Sequence, residues 1–132
     1  MFRKKTPELP TAPQVYPPGS FIETEAGYFY IVNPSKRLRL TTKRALDSWA
    51  PHRVVATTEA AVGKYRVSSK MCFRNGSLLH NISDGKLYLI VNGKRCLIES
   101  PDVLARLGAK SSDAVTVSAD ETNLHEIGES LT

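Results

Sequence analysis

The sequence predicts an α+β protein: two tandem ββαβ modules (hairpin, short helix, short strand) behind an extended Pro-rich N-terminal arm. Three observations carry this. Residues 19–50 and 76–108 follow one template about 57 residues apart, with Gly19-Ser20 answering Gly76-Ser77. Each copy holds two β-rich runs around a turn signal. Each then has a capped helix start and a further β-rich run.

With one residue added, Gly27 meets Gly85, Tyr30 meets Tyr88, Lys36-Arg37 meets Lys94-Arg95, and Leu46 meets Leu104. That is five identities in the 24 positions from 27 to 50, where unrelated segments give roughly one or two at average residue usage. Such a repeat describes architecture first. The expected organisation is an arm over 1–18, a first module over 19–71 and a second over 72–132. A module of about 50 residues is marginal alone, so the two copies are expected to support each other.

The arm, "MFRKKTPELPTAPQVYPP", holds five prolines and three basic residues. It cannot bury enough apolar surface to fold by itself. It is read as a tether, with Phe2, Val15 and Tyr16 as anchors on a neighbour and Arg3, Lys4 and Lys5 for an acidic surface.

In the second module "KLYLIV" is a strand by composition. Asn92-Gly93 is the signal for a two-residue type I′ hairpin turn, and "KRCLI" returns. Ser100 then caps a helix with Pro101 at its first position and Asp102 at its positive end. Gly108 stops the helix. "AVTV" is a strand and Ser118 caps a further turn. The first module matches with "YFYIV", a turn at Pro34-Ser35, "KRLRL", a helix begun by Thr41 or Thr42, "RVVAT", and a capped "TTEAAVGKY".

The turn fixes the hairpin register. In the second module it places Leu87, Leu89, Val91, Cys96 and Ile98 on the helix side, and Tyr88, Ile90, Arg95 and Leu97 outward. In the first it places Phe29, Ile31, Leu38 and Leu40 inward, and Tyr30, Val32, Arg37 and Arg39 outward. Both copies keep a Tyr and an Arg on the outward face, where the guanidinium can stack on the ring. The partner-binding candidates are therefore Tyr30, Arg37, Arg39, Tyr88, Ile90, Arg95 and Leu97, with the arm residues.

Nothing points to catalysis. His52, His80 and His125 sit in loop-like stretches without Cys, Asp or Glu at ligand spacing, so no metal is expected. There is no phosphate-cradling Gly loop, nucleophile elbow or carboxylate pair in an apolar segment. No cofactor is expected. Cys96 aligns with Leu38 and is read as a small core hydrophobe, and no Cys72–Cys96 disulfide is expected.

The net charge of +5 is uneven: residues 1–75 carry +8 and residues 76–132 carry −3. This favours head-to-tail contact between copies or one basic face for an acidic partner. The run "KRLRLTTKR" (36–44) is the strongest nucleic-acid candidate. Its bland reading is a solvated edge strand on which Lys and Arg discourage pairing, and nucleic-acid binding is the weaker reading. No secretory h-region and no apolar run of spanning length occur, so neither export nor a membrane span is expected.

Residues 84–121, "DGKLYLIVNGKRCLIESPDVLARLGAKSSDAVTVSADE", resemble a small tandem repeat of actinobacterial surface and secreted proteins, and of virion proteins of phages that infect such hosts. The shared pattern is an aromatic-containing strand, Gly-Lys-Arg before an Ile, Ser-Pro-x-Val, a Leu-Gly pair and Val-x-Val-Ser. Residues 27–60 match in outline, with Trp49-Ala50 for Leu-Gly and Pro-Ser for Asn-Gly. The resemblance implies a non-catalytic module and carries no binding residues with it. Without a leader, the expected role is a structural virion protein of a bacteriophage, in the tail, at the head–tail joint or decorating the capsid. It would be assembled in the host cytoplasm with other virion proteins or copies of itself. The alternatives are a module binding a bacterial envelope polymer and a basic nucleic-acid-associated protein.

Overall fold

The computed structural model describes residues 8–132. Phe2, Arg3, Lys4 and Lys5 of the expected tether lie outside the described residues. The fold is α+β, with two mixed sheets and four short helices. The chain forms two compact units, one running to Lys43 and continuing over Ala50–Met71, the other made of Arg44–Trp49 and Cys72–Thr132.

The first unit has five strands, β1 (Phe21–Thr24), β2 (Gly27–Asn33), β3 (Lys36–Leu40), β4 (Val54–Ala56) and β5 (Arg66–Met71), in the order β4-β1-β2-β3-β5. Helix α2 (Glu59–Val62) lies between β4 and β5. The second unit contains most of helix α1 (Lys43–Ser48). It continues through β6 (Leu78–Asn81), β7 (Leu87–Val91), β8 (Lys94–Leu97), helix α3 (Pro101–Arg106), β9 (Val115–Val117) and helix α4 (Ala119–Thr122). Its sheet order, β8-β7-β6-β9, repeats that of the first unit. The parallel bridges from Arg95 to Ile127 and from Ile98 to Leu131 put the C-terminal segment where β5 stands in the first.

The expected ββαβ module is therefore too small. A leading strand (β1, β6) and a trailing parallel segment (β5, residues 127–131) belong to each copy. "FIET" and "LLHN" are too short to declare themselves by periodicity, and "RVSSKM" is polar because it is an exposed edge.

The structural equivalence also differs from the sequence alignment. Gly19 N–H donates to the Ile31 carbonyl (2.8 Å), and Gly76 N–H donates to the Ile90 carbonyl (2.7 Å). Ile31 thus matches Ile90, and Phe29 rather than Tyr30 matches Tyr88. The extra residue is Val32, bulged between the pairs Ile31–Arg37 and Asn33–Lys36. A one-residue slip turns every later side chain to the other face. Arg37 and Arg39 consequently share a face with Phe29 and Ile31, while Leu38 lies with Tyr30. The expected outward placement of Arg37 and inward placement of Leu38 are thus reversed. The second hairpin has no bulge and keeps the expected register, Leu89 opposite Cys96 and Ile90 opposite Arg95. Asn92 and Gly93 have the paired positive φ, 51° and 76°, of its tight turn.

The second sheet is packed on both faces. In the first unit Ile22, Phe29, Ile31, Val62 and Tyr65 form one cluster, packed by Tyr16 and Val55. In the second, Ala45, Phe73, Leu79, Ile90 and Val117 form one cluster, and Leu78, Ile98, Val103 and Leu104 form another under α3. Ile90, expected outward, is fully buried, because α1 and the turn after α4 add a layer that the hairpin pattern does not reveal. Tyr88 and Leu97 are half-buried.

The arm is corrected as well. Over residues 8–18 it has no regular structure but lies on its own unit. Gln14 N–H donates to the Ala61 carbonyl (2.9 Å), and the Thr58 hydroxyl donates to the Pro10 carbonyl (2.6 Å). Tyr16 packs on the first core and donates its hydroxyl to Thr57 (2.8 Å). It is therefore not available as an anchor on a neighbour, whereas Val15 is exposed.

Two stability outcomes follow. Ile90→Ala should cost about 2–5 kcal/mol and more than Leu89→Ala, since Leu89 is only half-buried; urea denaturation of the two variants ranks them. Ala50 ends α1 at φ 46°, where Gly108 ends α3 at φ 74°. A side chain there is strained, so Ala50→Gly should raise stability by about 1 kcal/mol, seen as a higher melting temperature.

Candidate functional site

The polar centre of each unit is built at one equivalent place, around the arginine of the second hairpin strand and the turn after the last helix. Helices α2 and α4 fix the correspondence. Thr58 caps α2, accepting from Ala61 N–H (3.2 Å), and Ser118 caps α4, accepting from Glu121 N–H (3.1 Å). Counting from these caps, Glu59 matches Ala119 and Tyr65 matches His125.

In the first unit Arg37 is buried. Its Nη1 and Nη2 donate to the two carboxylate oxygens of Glu59 at 2.6 and 2.7 Å, and its Nε donates to the Tyr65 carbonyl at 2.9 Å. The guanidinium lies 4.3 Å from the centre of the Phe29 ring. Bidentate pairing and the backbone bond satisfy a charge that burial would otherwise penalise. The Arg37 hydrogen bond holds the Glu59 carboxyl below its ordinary value; burial opposes this, and the Thr24 hydroxyl assists it (2.7 Å). Arg39, more exposed, reaches the Ala26 carbonyl.

In the second unit Arg95 lies 5.8 Å from the Tyr88 ring centre. Its Nη1 donates to Asn123 Oδ1. Its Nε is buried with no hydrogen-bond partner. Tyr88 donates its hydroxyl to Asp84 (2.8 Å), and Asp84 also accepts from Lys86 N–H (2.8 Å). Burial and the Asp84 bond raise the Tyr88 phenol. Burial works against ionisation of Asp84, but the bonds from Lys86 and Tyr88 lower its carboxyl.

A second correspondence was hidden in the sequence. Tyr16 N–H donates to the Tyr65 hydroxyl (2.9 Å), and Phe73 N–H donates to His125 Nε2 (3.1 Å). His125 Nδ1 lies 2.7 Å from the Gly93 carbonyl. Since Nε2 accepts, Nδ1 carries the proton toward that carbonyl. His125, in the turn after α4, is thus a buried structural group, and His80 lies in strand β6 rather than in a loop. Only an alignment through the Ser118 cap could have paired Tyr65 with His125, because the two side chains share no chemistry beyond an acceptor at the same reach.

The sequence candidates are therefore scattered. Arg37 is internal, Tyr16 is core, and Tyr30 packs tilted on Phe21, ring centres 5.1 Å apart. Tyr88 and Arg95 come together. The basic run 36–44 is divided: Arg37 pairs with Glu59, and Arg44 pairs with Glu121 at 2.7 Å. Among the described residues no group of three or more His, Cys, Asp or Glu side chains could hold a metal ion. Both cysteines are free thiols. No described helix is long and apolar enough to cross a membrane. A groove of about 430 Å³ runs beside α3, lined by Leu78, Leu89, Leu104, Leu107, Ala109 and Val115 among others. No family of proteins, no curated protein and no solved structure matches the chain.

The Arg37–Glu59 pair gives a signed pH dependence. Because the Glu59 carboxyl is depressed in the fold, its contribution is present above the ordinary carboxylate range. It is lost as pH falls through the depressed value. Glu59→Gln should cost about 1–3 kcal/mol at neutral pH, less than for a fully buried pair because Glu59 is partly exposed. It should also flatten the loss of stability between neutral and acid pH, followed by urea midpoints at several pH values.

Proposed function

We propose that this chain is a non-catalytic assembly protein and, within that class, a structural protein of a bacteriophage particle, in the tail, at the head–tail joint or on the capsid. The observation that carries the reading is the duplicated unit, whose buried polar groups are spent on holding the fold. Arg37 is bound to Glu59 and to a backbone carbonyl, and His125 is bound to backbone at both nitrogens. The resemblance of residues 84–121 to a repeat of surface and virion proteins supports the particle. The partners are other virion proteins or copies of the chain. The nucleic-acid reading loses support, since Arg37 and Arg44 are paired internally.

The groove beside α3 favours one second reading, a module for a bacterial envelope polymer. Mass spectrometry of purified particles separates the two. Recovery of the chain at stoichiometric level supports the first; absence from particles together with sedimentation on isolated cell walls supports the second. A turnover abolished by His125→Ala in a correctly folded variant would overturn both.

A further inference from the structure

The two units form an internal comparison. The same strand position carries Arg37 and Arg95, the same ring position beneath them carries Phe29 and Tyr88, and the helix position facing them carries Glu59 and Ala119. In the first unit a carboxylate is supplied from within the chain, at 2.6 and 2.7 Å from the guanidinium. In the second the residue at that place has no carboxylate. The nearby Asp84 does not replace it: its oxygens accept from Lys86 N–H and the Tyr88 hydroxyl and from neither Nη of Arg95. Nor does Glu121, two residues along α4, which pairs with Arg44 and closes the Ser118 cap. The Arg95 Nη groups are left with one neutral acceptor, Asn123, where Arg37 has a carboxylate, and its buried Nε lacks the backbone carbonyl that Tyr65 gives Arg37 Nε.

We infer that the second unit carries a carboxylate-binding site at Arg95, between the Tyr88 ring and Asn123, in which a ligand carboxylate takes the place that Glu59 fills in the first unit. The site is open: Arg95 and Tyr88 are half-buried and Asn123 is exposed. Arginine suits it because its planar fork receives a carboxylate through two parallel hydrogen bonds. A charge-assisted pair of this kind also compensates the partial burial of the guanidinium, which Asn123 alone does only in part. The ligand is an acidic side chain of a protein. The inference stands whether or not the particle assignment does.

The test follows the side-chain Nε–H resonances of the full chain by ¹⁵N–¹H spectroscopy while sodium acetate replaces sodium chloride at constant ionic strength. Arg95→Lys identifies the Arg95 signal by its disappearance. That signal should shift and saturate with acetate. In Ala119→Glu, which restores the carboxylate of the first unit, it should already be displaced. About tenfold more acetate should then be needed, the loss expected when one contact is pre-empted. Asn123→Asp, a change at an exposed position, should act in the same direction and serves if Ala119→Glu does not fold. Poly-glutamate should saturate the signal at a lower carboxylate concentration than polygalacturonate, and the reverse order would overturn the acidic side chain as ligand. An Arg95 signal that moves alike in acetate and chloride would overturn the inference. So would an undiminished acetate response in folded Ala119→Glu or Asn123→Asp.

Discussion

Each unit depends on one buried acceptor placed after its last helix. Tyr65 Oη in the first unit and His125 Nε2 in the second take the backbone N–H of the segment entering the sheet, Tyr16 or Phe73. That N–H is at the edge of a core and, unbonded, would cost about 1–3 kcal/mol. The bond also fixes where the entering segment lies, and so the register of β1 and β6 against β2 and β7. Tyr65 does more than accept. Its carbonyl receives Arg37 Nε, so the same residue anchors the entering chain with its side chain and the hairpin with its backbone. In the first unit the entering chain and the hairpin are thereby tied to one residue.

The bulge at Val32 is the second constraint. Without it, Arg37 would face the side occupied by Leu38, and Glu59 would have no cation within reach. With it, the guanidinium lies on Phe29 and meets Glu59 and the Tyr65 carbonyl together. A buried pair of this kind adds little net stability against an apolar replacement. What it adds is directional. An arginine that must find two carboxylate oxygens and one carbonyl at once discriminates against a slipped hairpin, which an all-apolar face of Phe and Ile would tolerate.

These devices explain what was legible in the sequence. Asn92-Gly93, Ser100-Pro101 and Ser118 are local signals, each acting through its own backbone within four residues. They placed the second hairpin, α3 and α4 in register with the structure. Ile90 was misplaced because its burial is supplied by residues distant in the chain, Ala45 and Phe73. A period-2 pattern shows that a strand has two faces and is silent on whether a second layer exists. The first hairpin failed for a different reason: Pro34-Ser35 does not dictate a turn type, so the extra residue could be absorbed at Val32 without trace in the composition. Tyr88 and Arg95 were legible as a neighbouring pair because a tight I′ turn transmits register directly.

The two units have diverged at their polar centres while keeping the bond from the entering segment to the acceptor after the last helix. Where the first unit has Phe21, Tyr30 and Glu59, the equivalent places in the second hold Leu78, Leu89 and Ala119. The second unit has thus lost ring volume beside α3, where the groove lies, and a carboxylate beside its arginine. Trp49 in the second unit donates its indole N–H to the Cys72 carbonyl (2.8 Å), whereas Leu107, its counterpart, is exposed. The lost ring volume lies on the sheet face under α3, and the lost carboxylate lies on the opposite face, with Arg95. Duplication permits this division: one copy can spend its aromatic and charged side chains on closure, while the other keeps the same backbone with fewer internal partners.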